Sequence, residues 1–453
     1  TWRRTGSFNP ARTCMVCYAC SRLLPGGGPV GCVIRDAETY GPVYRERFPT
    51  DPAVAPRCHG CEAAPCVAAA PTLADIPGFV RAFESSDVRR AFDILRRDDL
   101  LPGMGAQLAW RDYPPEAVCV EKILTGTPVP IRAIQREIQR VAQEHGWTGV
   151  RVPERESGRR VCIVGGGPAG IAAAARLIEL GHRAEIFERS DRLGGVPGRL
   201  LRRPNFSGGA EEVEALLQPA IDSGRLTVHF GSTLGGDATL PRLRSSADAV
   251  LITAGLWGER TLGRIPGVFG GLDFLDAVAR GEAPPITGAA VLLIGGDSAM
   301  DAARALQGLG ADPLHLVFAG PRSALHWHMD EAWFDSPGVH LHLETTPLGF
   351  VRAPDERVLG VRVTRGPEDE ETVLPAGIVV EARGLEIDSI TRAALAGLPY
   401  QENGLLAVEP GTFLIAPGLY AAGACMNGGA SVAGCVSEGM RAAAEIHAEL
   451  SRS

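Results

Sequence analysis

Two kinds of residue in this chain are spaced for chemistry: glycines that can cradle a phosphate, and cysteines that can hold iron or zinc. Val161-Cys-Ile-Val-Gly165-Gly-Gly167-Pro-Ala169-Gly170 runs an apolar strand into Gly-x-Gly-x-x-Gly. Gly165 permits a tight turn, Gly167 lets backbone N–H groups approach a pyrophosphate, and Gly170 lets the next helix pack closely on the strand. A second apolar strand then ends in Glu188, placed to accept from a ribose hydroxyl. Strand, glycines, helix, strand and acid in that order predict a bound adenine dinucleotide.

The chain has 11 cysteines, and most precede the glycines: Cys14, Cys17, Cys20, Cys32, Cys58, Cys61, Cys66 and Cys119. A disulfide-stapled secreted domain would use cysteines this way. A large α/β chain with no leader-like apolar segment points instead to the cytoplasm, where clustered cysteines bind metal. The Cys14-x-x-Cys17-x-x-Cys20 run starts like a ferredoxin motif, but Leu24 stands in the fourth place. Cys32 could complete that site by folding back, and iron–sulfur, zinc and no metal all remain open there.

The elements that must position these residues follow from pattern. Residues 1–55 are rich in Arg, Pro and Gly and predict an irregular arm, residues 76–141 show helical periodicity, and 151–160 read as a linker. Asp248-Ala-Val-Leu-Ile-Thr253-Ala254-Gly255 predicts a strand ending in small residues beside the first glycine turn. A second strand–glycine–helix–strand series runs from Val291 through Gly295, Gly296, Asp297 and Ser298 to Phe318. A closing segment, Gly418-Leu-Tyr-Ala-Ala-Gly423-Ala424, leads to a last Ala-rich helix from about Ser437. Two such units, the second inserted in the first, predict an α/β fold that holds two dinucleotides.

At 453 residues the chain should form two or three domains. A net charge of −8 gives no electrostatic basis for nucleic acid or an anionic membrane, and no apolar run is long enough to span a bilayer. Gly-x-Ser-x-Gly, His-Glu-x-x-His and a P-loop lysine are all missing, which removes support for hydrolase and NTPase chemistry. Cys162 reads as core packing, Cys425 and Cys435 flank a Gly-rich loop without forming Cys-x-x-Cys, and the alternating His326, His328, His340 and His342 read as a solvated face.

From about Arg57 onward the order of segments resembles the small (beta) subunit of bacterial glutamate synthase and the N-terminal half of dihydropyrimidine dehydrogenase. The phrases that carry the likeness are Cys58-x-x-Cys61-x4-Cys66, Ile76-Pro, Glu116-x-x-Cys119, Pro128-Val-x-Ile131, Gly165-Gly-Gly-Pro-Ala-Gly170, Phe187-Glu-Arg189-Ser-Asp-Arg-Leu-Gly194-Gly195, Thr253-Ala-Gly255, Ala299-Met-Asp-Ala-Ala-Arg304 and Glu438-Gly-x-x-Ala-Ala. The resemblance implies a helical, Cys-containing iron–sulfur domain followed by two nested Rossmann-like domains for FAD and NAD(P). The expected units are an arm at 1–55, an iron–sulfur domain at 56–155, an FAD domain at 156–285 plus 386–453, and an NAD(P)H-binding-like insertion at 286–385.

The resemblance puts Cys58, Cys61, Cys66 and Cys119 in the places that ligate one [4Fe–4S] cluster, with a zinc site or a vestigial domain as the alternative. The family's second cluster would need ligands at Ala70, Ala109 and Pro115, with Gln135 as the fourth, and those residues cannot supply them. One cluster is therefore expected here, with a second only on Cys14, Cys17, Cys20 and Cys32. Arg189, Gly194, Gly195, Thr253, Ala254, Gly255, Gly423, Ala424 and Ser431 fall in the implied FAD site, where Ala424 replaces the family's Asp. In the nicotinamide turn Gly295-Gly296-Asp297-Ser298 is one residue short, and Ala319-Gly320 stand where the family often has paired arginines, with Arg322 nearby. NADH is expected ahead of NADPH, with loss of nicotinamide binding a third outcome.

The implied activity is electron transfer among NAD(P)H, FAD and a [4Fe–4S] cluster, to or from a partner catalytic subunit. Two alternatives keep the fold: a structural or relay subunit that no longer binds nicotinamide, and a stand-alone FAD-dependent oxidase or tailoring enzyme. No side chain stands out as a general acid or base, which suits a reductase subunit.

Overall fold

The computed structural model describes residues 58–108, 114–200, 209–295, 298–324, 331–366, 370–429 and 431–452. Cys14, Cys17, Cys20 and Cys32, the arm at 1–55, Ala109, Gly296, Asp297, His326 and His328 lie outside these residues.

The expected helical region is helical. Its longer helices span Ile76–Glu84, Val88–Asp98 and Ile131–Glu144, with short ones between them. Asp75 and Asp87 start the first two by accepting from the Gly78 and Arg90 N–H groups at 3.0 and 3.1 Å, bonds worth about 1 kcal/mol each. Phe79, Phe92, Leu95 and Ile138 are fully buried, and Cys66 and Cys119 belong to the same core.

Beyond the linker, a six-stranded sheet runs Leu414–Ala416, Leu419–Ala421, Ala249–Ile252, Arg160–Val164, Arg183–Glu188 and Leu226–Phe230. All neighbours are parallel except the edge strand Leu414–Ala416, as near-continuous apolar runs buried on both faces require. Helices Pro168–Glu179 and Val432–Leu450 pack so closely on one face that a Cβ on Gly439 would lie 2.1 Å from the Ala169 carbonyl oxygen. The last helix begins at Val432, several residues before the expected Ser437, because the Ser431 side chain caps it by accepting from the Gly434 N–H at 2.9 Å.

A five-stranded parallel sheet forms the second unit, in the order Val268–Gly270, Ile378–Ala382, Gly288–Ile294, Ala311–Phe318 and Val339–His342. An antiparallel sheet of Thr346–Arg352, Val358–Thr364 and Thr372–Pro375 covers one face, through Val358, Val361 and Val363 on Val291 and Val317. The boundary expected at 285/286 is therefore too late. Val268–Gly270 already pairs with Ile378–Ala382, and helix Gly271–Arg280 packs beside it. The chain crosses between units at an antiparallel ribbon of Gly258–Glu259 with Leu385–Glu386.

The helical unit docks on the first sheet's helices through Leu100, Leu101 and Met104, which join that sheet's core, and through polar contacts. Arg96 meets Glu179 at 2.6 Å, and the buried Glu212 carboxylate accepts from the Gly103 and Met104 N–H groups. Among the described residues no helix is long and apolar enough to cross a membrane.

Candidate functional site

Cys58, Cys61, Cys66 and Cys119 line one hollow in the helical unit, although Cys119 is far from the others in sequence. The loop Cys58–Cys61 precedes helix Pro65–Ala69, which carries Cys66, and Cys119 is the N-cap residue of helix Val120–Thr125. Ile76, Val80, Val129 and Ile131 form apolar wall around them, with His59 and Glu121 as the other polar lining groups. All four thiols are free of disulfides. Burial pushes Cys58 up to about 11, and burial with the neighbouring Cys58, Cys119 and Cys61 sulfurs pushes Cys66 up to about 12.

Buried thiols such as Cys58 and Cys66 keep their protons unless a cationic core replaces them. Among the described residues no His, Cys, Asp and Glu group is gathered tightly enough to hold a single metal ion. The four thiols line the wall of one hollow, and thiolates are the donors that an iron–sulfur cluster uses. The second-cluster positions do not fit a cluster. Ala70 is buried in the hydrophobic core, Pro115 is buried, and the Gln135 Oε1 is enclosed without a hydrogen-bond partner.

The first glycine turn is shaped by contacts that only glycine allows. Gly165 has φ +103°, and a Cβ there would lie 2.4 Å from the Thr253 carbonyl oxygen; on Gly170 it would lie 2.0 Å from that of Gly165. The Thr253 hydroxyl donates to the Gly165 carbonyl at 2.8 Å, which ties the turn to the neighbouring strand. Gly167 caps helix Pro168–Glu179 with no side chain, so its first N–H groups remain available to a phosphate, and the Gly194–Gly195 turn lies across them. Ala169 is buried where that helix meets the C-terminal one.

Glu188, the acid expected at a ribose, is tied to the turn itself. Its buried carboxylate accepts from the Gly166 N–H at 2.6 Å and the Ser190 N–H at 2.8 Å, bracing the turn from below. Arg189 is held by Asp388 at 3.2 Å and lies over the Trp257 ring at 5.3 Å, beside Ala254 and Gly255. At the other end Gly423 has φ +78° and donates its N–H to Glu438 at 2.8 Å, so a carboxylate reaches this turn although Ala424 carries none. Ser431 is occupied as a helix cap. Burial pushes the Cys425 and Cys435 thiols up to about 12, which leaves them protonated and poor nucleophiles. Cys162 is core, as expected. These backbone cradles fit a dinucleotide.

In the second unit Gly295 donates to the Ala382 carbonyl at 2.9 Å, and a Cβ on it would lie 2.8 Å from the Arg383 carbonyl oxygen. Ser298 opens helix Ser298–Gly308. Arg322 is exposed after the neighbouring strand and lies 6.0 Å from the Phe334 ring. His315 and His342 share a 3.0 Å contact, and His340 stacks on His315. Burial pushes His315 down to about 4, so it stays neutral.

Sequence reasoning missed Asp388, Trp257 and the His59–Glu121 contact. Their partners lie elsewhere in the chain, 199 residues away for Arg189–Asp388, so no local spacing could have signalled them.

Residues 159–439 match the family model described as pyridine nucleotide-disulphide oxidoreductase, and residues 41–147 match dihydropyrimidine dehydrogenase domain II, 4Fe-4S cluster. The chain belongs to the pyridine nucleotide-disulphide oxidoreductase family, with an N-terminal 4Fe–4S domain. It is 28% identical over 433 residues to the glutamate synthase (NADPH) small chain of Azospirillum brasilense, covering 86% of this chain and 87% of that one. The Mycobacterium tuberculosis protein of the same name is 29% identical over 465 residues, covering 94% and 93%. The beta subunit of the NADP(+)-dependent formate dehydrogenase of Moorella thermoacetica is 27% identical over 434 residues, covering 84% of this chain and 59% of that longer one. Mycobacterium tuberculosis FprA in complex with NADPH shares the fold, with TM-score 0.52 and 18% identity over 65% of this chain and 85% of that one. The resemblance drawn from the motifs holds, and the chain is an oxidoreductase of an FAD- and NAD(P)H-binding, 4Fe–4S-containing family.

Proposed function

We propose that this chain passes electrons between NAD(P)H and a partner catalytic subunit, by way of FAD at the Gly165–Gly170 turn and one [4Fe–4S] cluster on Cys58, Cys61, Cys66 and Cys119. The observation that carries this reading is the convergence of those four cysteines on one hollow, in a unit docked on the first glycine-turn sheet. Bound there, a flavin supplies the exchange between the two-electron chemistry of nicotinamide and the one-electron chemistry of a cluster.

The chain's residues do the holding. Gly165, Gly167 and Gly170 admit the pyrophosphate, Glu188 fixes the turn, and Arg189 with Trp257 flanks the same edge. The Glu438 carboxylate orients the Gly423 turn. Gly295 to Ser298, with Gly296 and Asp297 between, are the nicotinamide turn in this reading, and Ala254, Gly255, Ala424 and Ser431 border the flavin. The units are proposed as 56–155 for the cluster, about 260–385 for nicotinamide, and the remainder for FAD.

The names of the relatives, a glutamate synthase small chain and a formate dehydrogenase beta subunit, support a partner subunit and NADPH as a donor beside NADH. Anaerobic addition of NADPH or NADH, with flavin bleaching followed alongside iron and sulfide content, tests the proposal. Absence of bleaching with both nucleotides would sink it.

A further inference from the structure

The hollow lined by the four cysteines is otherwise apolar but for one pair. The His59 Nε2 and Glu121 Oε2 meet there at 2.5 Å, with side chains 7% and 3% exposed. Taking two such groups out of water is costly, and well-packed apolar residues of similar volume often fold as well or better. Stability alone therefore gives little reason for the pair to be here.

Its position gives another reason. His59 lies inside the Cys58–Cys61 loop, and Glu121 lies two residues past Cys119, across 62 residues of sequence. Cys119 starts its helix without a side-chain cap, whereas the loop is tied at its other end by the Cys58 N–H to Glu84 at 3.0 Å. The contact thus joins the segment carrying the first ligands to the segment carrying the last.

We propose that His59 and Glu121 are a positioning pair for the cluster: their hydrogen bond holds Cys119 at bridging distance from the Cys58–Cys61 loop. This rests on the ligand set proposed above. The bond is directional, so it fixes spacing in a way that apolar packing of equal stability does not.

The test uses the full chain purified anaerobically, as wild type, Glu121→Gln, and the double variant His59→Leu/Glu121→Leu. Iron and sulfide per chain, the rate of iron loss to a chelator, and the electron paramagnetic resonance spectrum after dithionite reduction are read, with flavin content and melting temperature as fold controls. Glu121→Gln keeps a hydrogen bond and is expected to keep the cluster and its spectrum. The double Leu variant is expected to fold and hold flavin but lose iron about tenfold faster, with an altered spectrum.

Wild-type iron retention and spectrum in the double variant would overturn the inference, as would equal loss in Glu121→Gln. If the double variant does not fold, His59→Leu alone is held to the same criteria. Wild-type protein without iron or sulfide overturns the ligand assignment and this inference together. A complete wild-type cluster with indifferent variants overturns this inference alone.

Discussion

Replacing Glu212 with Gln should change stability in opposite directions at low and high pH. The Glu212 carboxyl is 2% exposed between the helical unit and the first sheet's helices, accepting from the Gly103 and Met104 N–H groups at 2.9 and 2.6 Å. Burial pushes it from an ordinary 4.5 up to about 8, against the pull of the Gly103 N–H and with the help of the Asp99 carboxyl. Burial also pushes Asp99 up to about 7. Since the folded value lies above the unfolded one, the folded chain keeps a proton that the unfolded chain releases. That contribution is whole below about pH 4.5 and is lost as pH rises through about 8.

At about 1.4 kcal/mol per unit, the rise from 4.5 to about 8 corresponds to about 5 kcal/mol. Gln is neutral throughout and escapes that loss, but it turns an NH2 toward one of the two backbone donors at about 1–3 kcal/mol. Glu212→Gln should therefore melt a few degrees below wild type near pH 4.5, match it near pH 6, where about 2 kcal/mol of the proton's contribution is already lost, and melt a few degrees above it near pH 9. Melting followed by circular dichroism across that range reads the crossover. Parallel curves, with the variant displaced the same way at both ends, would refute the reasoning.

Three further outcomes follow from the sites. Gly170→Val should purify without flavin, because its first side-chain atom would lie 2.0 Å from the Gly165 carbonyl oxygen; full flavin content would contradict this. Cys119→Ser should lose iron and sulfide while keeping flavin, checked by metal analysis and absorbance. Glu438→Gln replaces a charge-assisted bond to the Gly423 N–H with a neutral one, a loss of about 1 kcal/mol, and should weaken flavin binding roughly fivefold in a titration of flavin-stripped protein.

Strands were legible where local pattern decides them. Arg160–Val164, Ala249–Ile252 and Gly288–Ile294 carry continuous apolar runs, and central parallel strands have little freedom to look otherwise. Val268–Gly270 was not legible, because its place as a strand comes from pairing with Ile378–Ala382, more than a hundred residues on. The start of the last helix was hidden for another reason: Gly428 and Gly429 read as loop, while the capping Ser431 shows itself only through its bond to Gly434. In the sites, glycines and cysteines announced themselves by spacing. Glu188's bond to Gly166, the Arg189–Asp388 pair and the His59–Glu121 contact depend on tertiary placement and left no local trace.

The most direct test is an anaerobic titration of the wild-type chain with NADPH and, separately, NADH, followed by absorbance and then by electron paramagnetic resonance at low temperature. The account predicts that at least one nucleotide bleaches the flavin and that electrons then appear on a single [4Fe–4S] cluster, a signal lost in Cys119→Ser while bleaching persists. A flavin that neither nucleotide reduces, or a reduced flavin beside iron that never accepts an electron, would contradict it.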